Sequence, residues 1–336
     1  MNGATIPMQR QFRRWHLWLP VFVVVAAASL GAFVWLPGLR PAPGFIEYPM
    51  LVKTDIPTAI DVAPDGAVWF TIEFSDAIGI FRNGKIDRIR KGGQNLEPLG
   101  LAADSAGGAW YTDTPIRAIS RIASDGAIRS FPLATPIARL GRLAIAPDGA
   151  IWFADVATGH VTRLQNGTFR HYDVGSEGAS PYGIAVDAAG TVWTTLQGVD
   201  KLGRIGTDGQ VTALDVPTRN SGLGDIAVDR TGAVWFLELR ANKIGRFADG
   251  RFTEFTIPTP SAGLTGLAAA PDGSVWFTEI SVGKLGRVQN DRVIEFPLPR
   301  AQSHPFGVAV DAANTVWYTD LSGWLGMLPA VRGNSP

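Results

Sequence analysis

The sequence predicts an all-β fold made of repeated four-stranded units, and three observations support this fold class. Seven tryptophans recur at gaps of 41 or 42 residues: Trp69, Trp110, Trp152, Trp193, Trp235, Trp276 and Trp317. Each follows an apolar strand and an Asp-Gly-like turn, and lies in a short strand of its own. Each repeat also leaves room for two more strands. A fixed period of this length is typical of β-propellers, so we expect seven blades.

The sixth repeat illustrates how one blade is built. Residues 266–270 form an apolar first strand, and Asp272 and Gly273 supply the turn residues of a hairpin. Residues 274–279, 284–289 and 293–297 follow as the second, third and fourth strands. The repeat therefore predicts four antiparallel strands per blade.

The ends of the chain predict how the ring closes. The seventh repeat stops after its third strand, at residues 324–328. The missing fourth-strand pattern occurs before the first repeat, as Ile-Glu-Tyr-Pro at residues 46–49. We expect this N-terminal strand to complete the last blade, which removes an unpaired edge. The propeller then occupies residues 45–330, and residues 331–336 form a C-terminal tail.

The repeated tryptophans have a structural interpretation. A large ring at the same place in every repeat is expected to pack between neighbouring blades. Glycines in the third strands, at Gly203, Gly245 and Gly286, are expected to permit close approach between blades.

Composition excludes several classes of function. Lys plus Arg and Asp plus Glu each number 30, and the repeat region contains no basic run, so we expect no nucleic-acid partner. The chain has no cysteine, which excludes disulfides, thiolate nucleophiles and cysteine metal sites. Nucleophile-elbow, phosphate-loop and dinucleotide-binding motifs are also absent.

The N-terminal region predicts a membrane anchor. Residues 17–36 carry no charge and are long enough to cross a bilayer core. Arg10, Arg13 and Arg14 precede them, which places residues 1–16 in the cytoplasm. Residues 37–44 form a Pro/Gly linker. We therefore expect a single-pass protein of the cell inner membrane, with its propeller on the periplasmic or extracellular side.

A cleaved signal peptide is the alternative interpretation of the same segment. The alanines at residues 26–28 resemble a small-residue cleavage site. Cleavage there would leave the apolar residues 30–36 exposed at the new N-terminus, which favours an uncleaved anchor.

Carboxylates mark the end of most second strands, on the face expected to surround the central channel. The residues three positions after each tryptophan are Ile72, Asp113, Asp155, Leu196, Glu238, Glu279 and Asp320. Carboxylates that converge on one channel would bind a divalent cation or raise one another's pKa. Glu279, Asp320 and Glu238 are the candidate metal ligands. The alternative is that each acid is solvated or pairs with a base such as Arg139, Arg142 or Arg240.

Two side chains on the same face are candidates for a catalytic base. His304 lies in the loop that enters the seventh blade, and imidazole titrates near neutral pH. Tyr182 lies in the equivalent loop of the fourth blade, where its phenol could stack on a ligand or accept a proton. Its structural alternative is an aromatic cap over the channel.

Several motifs resemble the repeat consensus of the virginiamycin B (streptogramin B) lyase family. They are Trp-Phe-Thr-Glu at 276–279, Asn-Lys-Ile-Gly-Arg at 242–246, Ile-Glu-Phe-Pro-Leu-Pro at 294–299 and Pro-Tyr-Gly-Ile-Ala-Val-Asp at 181–187. The resemblance covers residues 45–328. It implies a monomeric seven-bladed propeller that uses Mg²⁺ to open the lactone ring of a cyclic depsipeptide antibiotic by elimination.

The resemblance also assigns positions. The family's metal-associated glutamate corresponds to Glu279, and its general-base histidine corresponds to Thr265. The equivalent residues of the other blades are Thr58, Leu99, Gly141, Tyr182, Gly224 and Phe306. None of the seven is histidine, so the base is not in its usual place.

Two functions follow as expectations. The first is a metal-assisted carbon–oxygen lyase, with a cyclic peptide or small molecule bound on the channel face. The second is a non-catalytic, membrane-tethered propeller that binds a ligand or protein partner on the same face. A calcium-dependent lactonase of the gluconolactonase type is a third possibility, for which we find no selecting motif.

Overall fold

The computed structural model describes residues 44–135, 139–175 and 178–330. These residues form seven four-stranded antiparallel sheets, which confirms the predicted propeller and blade composition. The predicted anchor (17–36), the segment before it, the linker up to residue 43 and the tail (331–336) lie outside the described residues. Within the described part of the chain, no helix is long and apolar enough to cross a membrane.

The strands follow one another blade by blade. After β1 (Ile46–Pro49), blade 1 contains β2 (Ile56–Val62), β3 (Val68–Glu73), β4 (Ala77–Arg82) and β5 (Lys85–Arg90). Blade 2 contains β6 (Leu101–Ala103), β7 (Gly108–Asp113), a 3₁₀ turn (Thr114–Ile116), β8 (Ala118–Ala123) and β9 (Ile128–Pro132). Blade 3 contains β10 (Leu140–Ile145), β11 (Ile151–Asp155), β12 (His160–Gln165) and β13 (Thr168–Asp173).

The remaining blades repeat this arrangement. Blade 4 contains β14 (Pro181–Val186), β15 (Val192–Leu196), β16 (Lys201–Ile205) and β17 (Val211–Asp215). Blade 5 contains β18 (Leu223–Val228), β19 (Val234–Glu238), β20 (Lys243–Ala248) and β21 (Arg251–Thr256). Blade 6 contains β22 (Leu264–Ala269), β23 (Val275–Glu279), β24 (Lys284–Gln289) and β25 (Arg292–Pro297). Blade 7 contains β26 (Pro305–Val310), β27 (Val316–Asp320) and β28 (Trp324–Leu328).

Strand β1 closes the ring as predicted. It pairs antiparallel with β28, with Glu47 opposite Gly326 and Pro49 opposite Trp324. The Glu47 carboxylate accepts hydrogen bonds from the Tyr318 hydroxyl at 2.8 Å and from Arg300 Nε at 3.0 Å. Side-chain bonds therefore reinforce a closing strand of only four residues.

The predicted turn chemistry explains the hairpins. In blade 6 the Asp272 carboxylate accepts the backbone N–H of Ser274 at 2.9 Å, which is an Asx turn. Gly273 adopts a φ of 84°, a left-handed conformation that glycine tolerates without strain. The short turn fixes the register of the two inner strands.

The tryptophans pack between blades, as predicted. Trp276 is 6% exposed and lies in one cluster with Leu285 of its own blade and Val308 and Tyr318 of the next. The expectation for the third-strand glycines needs a correction. A Cβ at Gly286 would overlap the Phe277 ring of the same blade. Gly245 likewise makes room for the Phe236 ring of its own blade, whereas Gly203 faces Thr194. The Phe277 ring in turn packs against the neighbouring blade.

The strand directions define the functional face. The loops that enter the first strands and leave the second strands lie at one end of the ring, since Leu264 pairs with Glu279 and Pro305 with Asp320. We call this end the upper face. Below it, the seven inner strands surround a cavity of about 370 Å³.

Candidate functional site

Arg142 spans the channel mouth just below the upper face. This residue lies on β10 of blade 3, and its guanidinium donates to the Leu99 carbonyl at 3.0 Å and to the Thr265 carbonyl at 3.4 Å. It also forms an ion pair with Asp225 of blade 5 at 3.2 Å. One side chain thus connects the inner strands of blades 3, 5 and 6 with the loop that enters blade 2.

Aromatic side chains complete the surroundings of this guanidinium. The Arg142 guanidinium carbon lies 5.9 Å from the centre of the Phe306 ring, and the half-buried Tyr182 lies close enough to interact with Arg142 electrostatically. Burial acts to lower the pKa of Arg142, but Asp225 and Tyr182 outweigh it and raise that pKa. The guanidinium therefore remains charged at the mouth.

The sequence contains a signal for this ion pair in the residues that follow the seven entry-loop positions. The sequence offers Arg142 as one possible partner of a second-strand carboxylate, but its partner, Asp225, lies on the inner strand β18. The residues that follow the seven entry-loop positions are Ala59, Gly100, Arg142, Gly183, Asp225, Gly266 and Gly307. Five are small and two carry opposite charges, which is the pattern of a pair that crosses the channel.

A second acid lies within the channel. Asp61 lines the cavity, and its carboxylate accepts backbone N–H groups of Val62 and Ala103, each at 2.9 Å. Burial raises the pKa of Asp61 to about 6, although both hydrogen bonds act to lower it. The channel therefore holds titratable groups that the second-strand pattern did not indicate.

The predicted metal ligands Glu238 and Glu279 are fully buried at the ends of β19 and β23. Neither oxygen of either carboxylate has a hydrogen-bond partner. Burial, with a smaller contribution from a neighbouring glutamate, raises the pKa of each to about 7. The neighbours are Glu254 and Glu295, and nearby Lys243 and Lys284 act in the opposite direction.

Asp320, the third predicted ligand, has a different environment. Its carboxylate accepts a hydrogen bond from Arg300 at 2.6 Å and from the backbone N–H of Ser322 at 2.8 Å. Its oxygens are therefore already used, whereas those of Glu238 and Glu279 are not. Within the ranges that the structure describes, no three His, Asp or Glu side chains are grouped so that they could hold one ion. The second-strand carboxylates thus lie in separate environments.

Mg²⁺ is commonly bound through one or two carboxylates, with water or ligand atoms completing its shell. Glu279 and Glu238 fit this role as single donors because both of their oxygens are unpaired. Asp320 does not, because Arg300 occupies one of its oxygens and Ser322 the other.

Comparison with known proteins agrees with this architecture. Residues 40–166 and 140–328 match the Virginiamycin B lyase family. The chain belongs to this family. It is similar to the virginiamycin B lyase of Nocardia farcinica, with 34% identity over 190 residues. That match covers 56% of this chain and 65% of the relative, just under two thirds of its length.

Solved structures of the virginiamycin B lyase family share the fold. One is a catalytically inactive histidine-to-alanine variant of the Staphylococcus aureus virginiamycin B lyase with quinupristin. It is 29% identical, with a TM-score of 0.81, over 85% of this chain and 99% of that one. A streptogramin B lyase structure is 27% identical, with a TM-score of 0.79, over 84% of this chain and 96% of that one.

This family member departs from the expected base position in a structurally defined way. The Thr265 hydroxyl hydrogen-bonds the Thr278 hydroxyl at 2.8 Å and donates to the Phe306 carbonyl at 2.9 Å. Thr58 repeats the threonine pair in blade 1, where its hydroxyl lies 2.7 Å from that of Thr71. The threonine at this position therefore links two strands and a neighbouring blade.

The two predicted base candidates occupy different surroundings. The His304 side chain is exposed at the upper face, and its carbonyl accepts the backbone N–H of Leu321 at 3.0 Å. Tyr182 is half-buried at the channel mouth, next to Arg142. They belong to blades 7 and 4, so blades 5 and 6 separate them along the ring. Only Tyr182 lies at an inner-strand position equivalent to Thr265.

Proposed function

We propose that this member of the virginiamycin B lyase family opens the lactone ring of a cyclic depsipeptide by elimination, with Tyr182 as the base. One observation carries the proposal. The Tyr182 side chain lies, in blade 4, at the position that Thr265 has in blade 6, next to the Arg142 guanidinium. Once deprotonated, a phenol beside a permanent cation at the channel mouth can accept a proton from a ligand on the upper face.

In the proposed step the Tyr182 phenol first gives its proton to solvent. The phenolate then removes the proton from the carbon alpha to a ligand carbonyl, and the electron pair of that C–H bond forms a carbon–carbon double bond. The adjacent ester C–O bond breaks, and its electrons leave with the carboxylate. Arg142 remains protonated throughout, since Asp225 and Tyr182 raise its pKa. Its charge compensates the negative charge on the phenolate and on the developing enolate.

We propose Mg²⁺ as the metal, which when bound stabilises negative charge on the ligand carbonyl. Glu279 would hold it, with Glu238 as the equivalent donor in blade 5, because the oxygens of both are unpaired. Asp320 would instead keep the Arg300 loop in place. His304 is the alternative base, and its exposure makes it accessible to a ligand that overlies blade 7.

We propose further that the protein is a monomer, anchored in the inner membrane through residues 17–36, with its propeller on the periplasmic or extracellular side. The uncharged length of residues 17–36 and the arginines that precede it support this proposal.

A non-catalytic binding propeller is the second candidate, and the Thr265 hydrogen bonds favour it. The hydroxyl there joins strands of two blades. A channel mouth fixed in this way could hold a ligand without converting it.

The test is ring opening of quinupristin by the purified protein with Mg²⁺, followed by mass spectrometry. Elimination leaves the mass unchanged and creates a double bond, whereas hydrolysis adds one water. We expect Tyr182→Phe to lower kcat by about 10² or more, because a general base contributes a factor of this size. His304→Ala should retain activity, and Glu279→Gln should reduce the response to Mg²⁺.

Tyr172→Phe is the matched control, since Tyr172 lies on the outer strand β13 and packs on Trp152. An inactive wild-type protein that still binds the ligand would favour the binding propeller. Full activity in Tyr182→Phe with loss in His304→Ala would transfer the base assignment to His304.

A further inference from the structure

Two histidines lie side by side on the outer strands of blade 3. His160 begins β12 and His171 lies on β13, and the centres of their rings are 5.8 Å apart. His171 is opposite Thr162 in the sheet, and its Nδ1 lies 2.9 Å from the Thr162 hydroxyl oxygen. One ring nitrogen of His171 is therefore engaged, and its Nε2 is left for a ligand. His160 is half-buried and His171 is exposed, so the pair can be reached from solvent.

The repeat shows what the same place holds in blade 6. Lys284 matches His160, since each lies opposite the last residue of the second strand of its blade. Glu295 matches His171, since each lies opposite the third residue of the third strand. The Lys284 ammonium donates to the Glu295 carboxylate and to the Thr259 hydroxyl, each at 2.6 Å. Blade 6 therefore fills this place with a cation held by oxygen atoms.

Blade 5 repeats the contact, and blade 3 lacks it. Lys243 donates to Glu254 at 2.6 Å and to the Thr218 hydroxyl at 2.9 Å. Thr218 and Thr259 are each the third residue after the outer strand of the preceding blade, β17 or β21. The equivalent residue before blade 3 is Thr135, whose hydroxyl oxygen is buried and has no hydrogen-bond partner. Blade 3 thus has two imidazoles and an unpaired hydroxyl where blades 5 and 6 hold an ammonium group.

Negative charge lies on both sides of the first imidazole. Asp155 ends β11 directly opposite His160 and is 4% exposed, and its Oδ1 accepts the backbone N–H groups of Ala157 and Thr158. Asp173 is opposite His160 on the other side, on β13. Side chains directly opposite each other in a sheet have their Cβ atoms about 5 Å apart. The two carboxylates are therefore close enough to offset the charge of a cation bound at the imidazoles.

We propose that His160 and His171 bind one Zn²⁺ ion at the place where blades 5 and 6 hold an ammonium group. Zinc–nitrogen bonds of about 2 Å at a tetrahedral angle place two ring centres about 5 Å apart, close to the 5.8 Å between these rings. Imidazole nitrogen selects Zn²⁺ over Mg²⁺ and Ca²⁺, which prefer oxygen ligands. Water completes the coordination shell. The ion joins β12 to β13, so this role is independent of the proposed lyase, whose base and cation lie on inner strands.

The experiment titrates the full chain with Zn²⁺ by isothermal calorimetry in excess Mg²⁺, which occupies sites made of oxygen ligands. We expect one Zn²⁺ per wild-type chain, and loss of this binding in His160→Gln and in His171→Gln. Thr162→Val keeps both imidazoles but removes the hydroxyl that holds the His171 ring, so it should weaken binding about tenfold or more. His304→Gln is the matched control, because it removes the remaining histidine of the described residues and should bind as the wild type does.

A double variant separates loss of the ligands from loss of folding. His160→Lys with His171→Glu installs the lysine and glutamate that blade 6 has at these positions. We expect this variant to fold and to bind no Zn²⁺, with a melting temperature that does not respond to the ion. The melting temperature of the wild type should rise with Zn²⁺, since a ligand that binds the native state stabilises it.

Three results would overturn the zinc site. They are absence of Zn²⁺ binding by the wild type, binding that persists in the double variant, and binding that His304→Gln removes. None of them bears on ring opening of quinupristin, because the lyase is assigned to other residues. Failure of the lyase likewise leaves the calorimetric result unchanged.

Discussion

Blades 2 and 6 place a carboxylate at the same position and accommodate its burial in different ways. Asp113 of blade 2 receives Lys91 on both oxygens, at 3.0 and 3.1 Å, and both side chains are almost fully buried. Glu279 of blade 6 has no hydrogen-bond partner, because Lys284 donates instead to Glu295 and Thr259, each at 2.6 Å.

The source of the cation explains the difference. In blade 2 the lysine comes from the loop that enters the blade and reaches the second-strand acid directly. In blade 6 it comes from the third strand and is engaged by the fourth-strand glutamate. Blade 5 repeats this arrangement, with Lys243 donating to Glu254 and Thr218. One repeat position thus yields a neutralised structural acid in blade 2 and acids with raised pKa values in blades 5 and 6.

The largest expected effect comes from removing the cation of blade 2. Lys91→Met leaves the Asp113 carboxylate buried without its charge partner, which should lower the free energy of unfolding by about 3–5 kcal/mol. Urea denaturation measures the change. The matched control is Lys91→Met combined with Asp113→Leu, which removes both charges and should recover most of the stability. A loss below about 1 kcal/mol in the single variant would show that the pair contributes little.

An intermediate effect on the free energy of unfolding is expected for the two unpaired acids, Glu238 and Glu279, and this effect depends on pH. The pKa values of Glu238 and Glu279 rise from 4.5 to about 7 on folding, so the native state binds more protons between these values. Their stabilising contribution is complete below pH 4.5 and is lost as the pH rises through 7. At about 1.4 kcal/mol per pKa unit, the rise from 4.5 to about 7 corresponds to about 3.5 kcal/mol for each glutamate.

Replacement of both acids by glutamine should therefore flatten the dependence of stability on pH between about 5 and 8. Each single variant serves as an internal control, since it should remove about half of the slope of the free energy of unfolding against pH. Urea denaturation at several pH values in this range measures that slope. An unchanged slope in the double variant would show that these carboxylates do not titrate in this range.

The smallest expected effect comes from the lysine of blade 6. Lys284→Met should cost about 1–2 kcal/mol, because Glu295 keeps its hydrogen bonds to Thr259 at 2.8 and 2.7 Å and the pair is partly exposed. Lys284 also lowers the pKa of Glu279, so its removal should shift the loss of stability to higher pH. A cost equal to that of Lys91→Met would remove the distinction between the two blades.

Sequence reasoning recovered the parts of the fold that repeat. The tryptophan period fixed the number of blades, and the fourth strand missing after Leu328 predicted the pairing of β1 with β28. The strands of blade 6 were placed to within two residues, because Asp272 and Gly273 determine the hairpin locally.

The site was harder to predict because its contacts join distant parts of the chain. Counting from Trp276 finds Glu279, but the count does not show that Lys284 is engaged by Glu295 and leaves Glu279 unpaired. The bond from Arg142 to Thr265 joins residues 123 positions apart. The role of Arg142 can be predicted only by aligning the seven inner strands, which shows that Arg142 and Asp225 are the two charged residues at that position.

The closing strand has a consequence for the order of folding. Glu47 and Tyr318 are 271 residues apart in sequence, so β1 must wait for the synthesis of β28 before blade 7 is complete. Long-range pairing of this kind slows folding, since the entropy of loop closure is lost before the contacts form. During synthesis blade 7 therefore stays without its outer strand. A circular permutant that moved β1 behind β28 would make this pairing local, and we expect it to refold faster at similar stability.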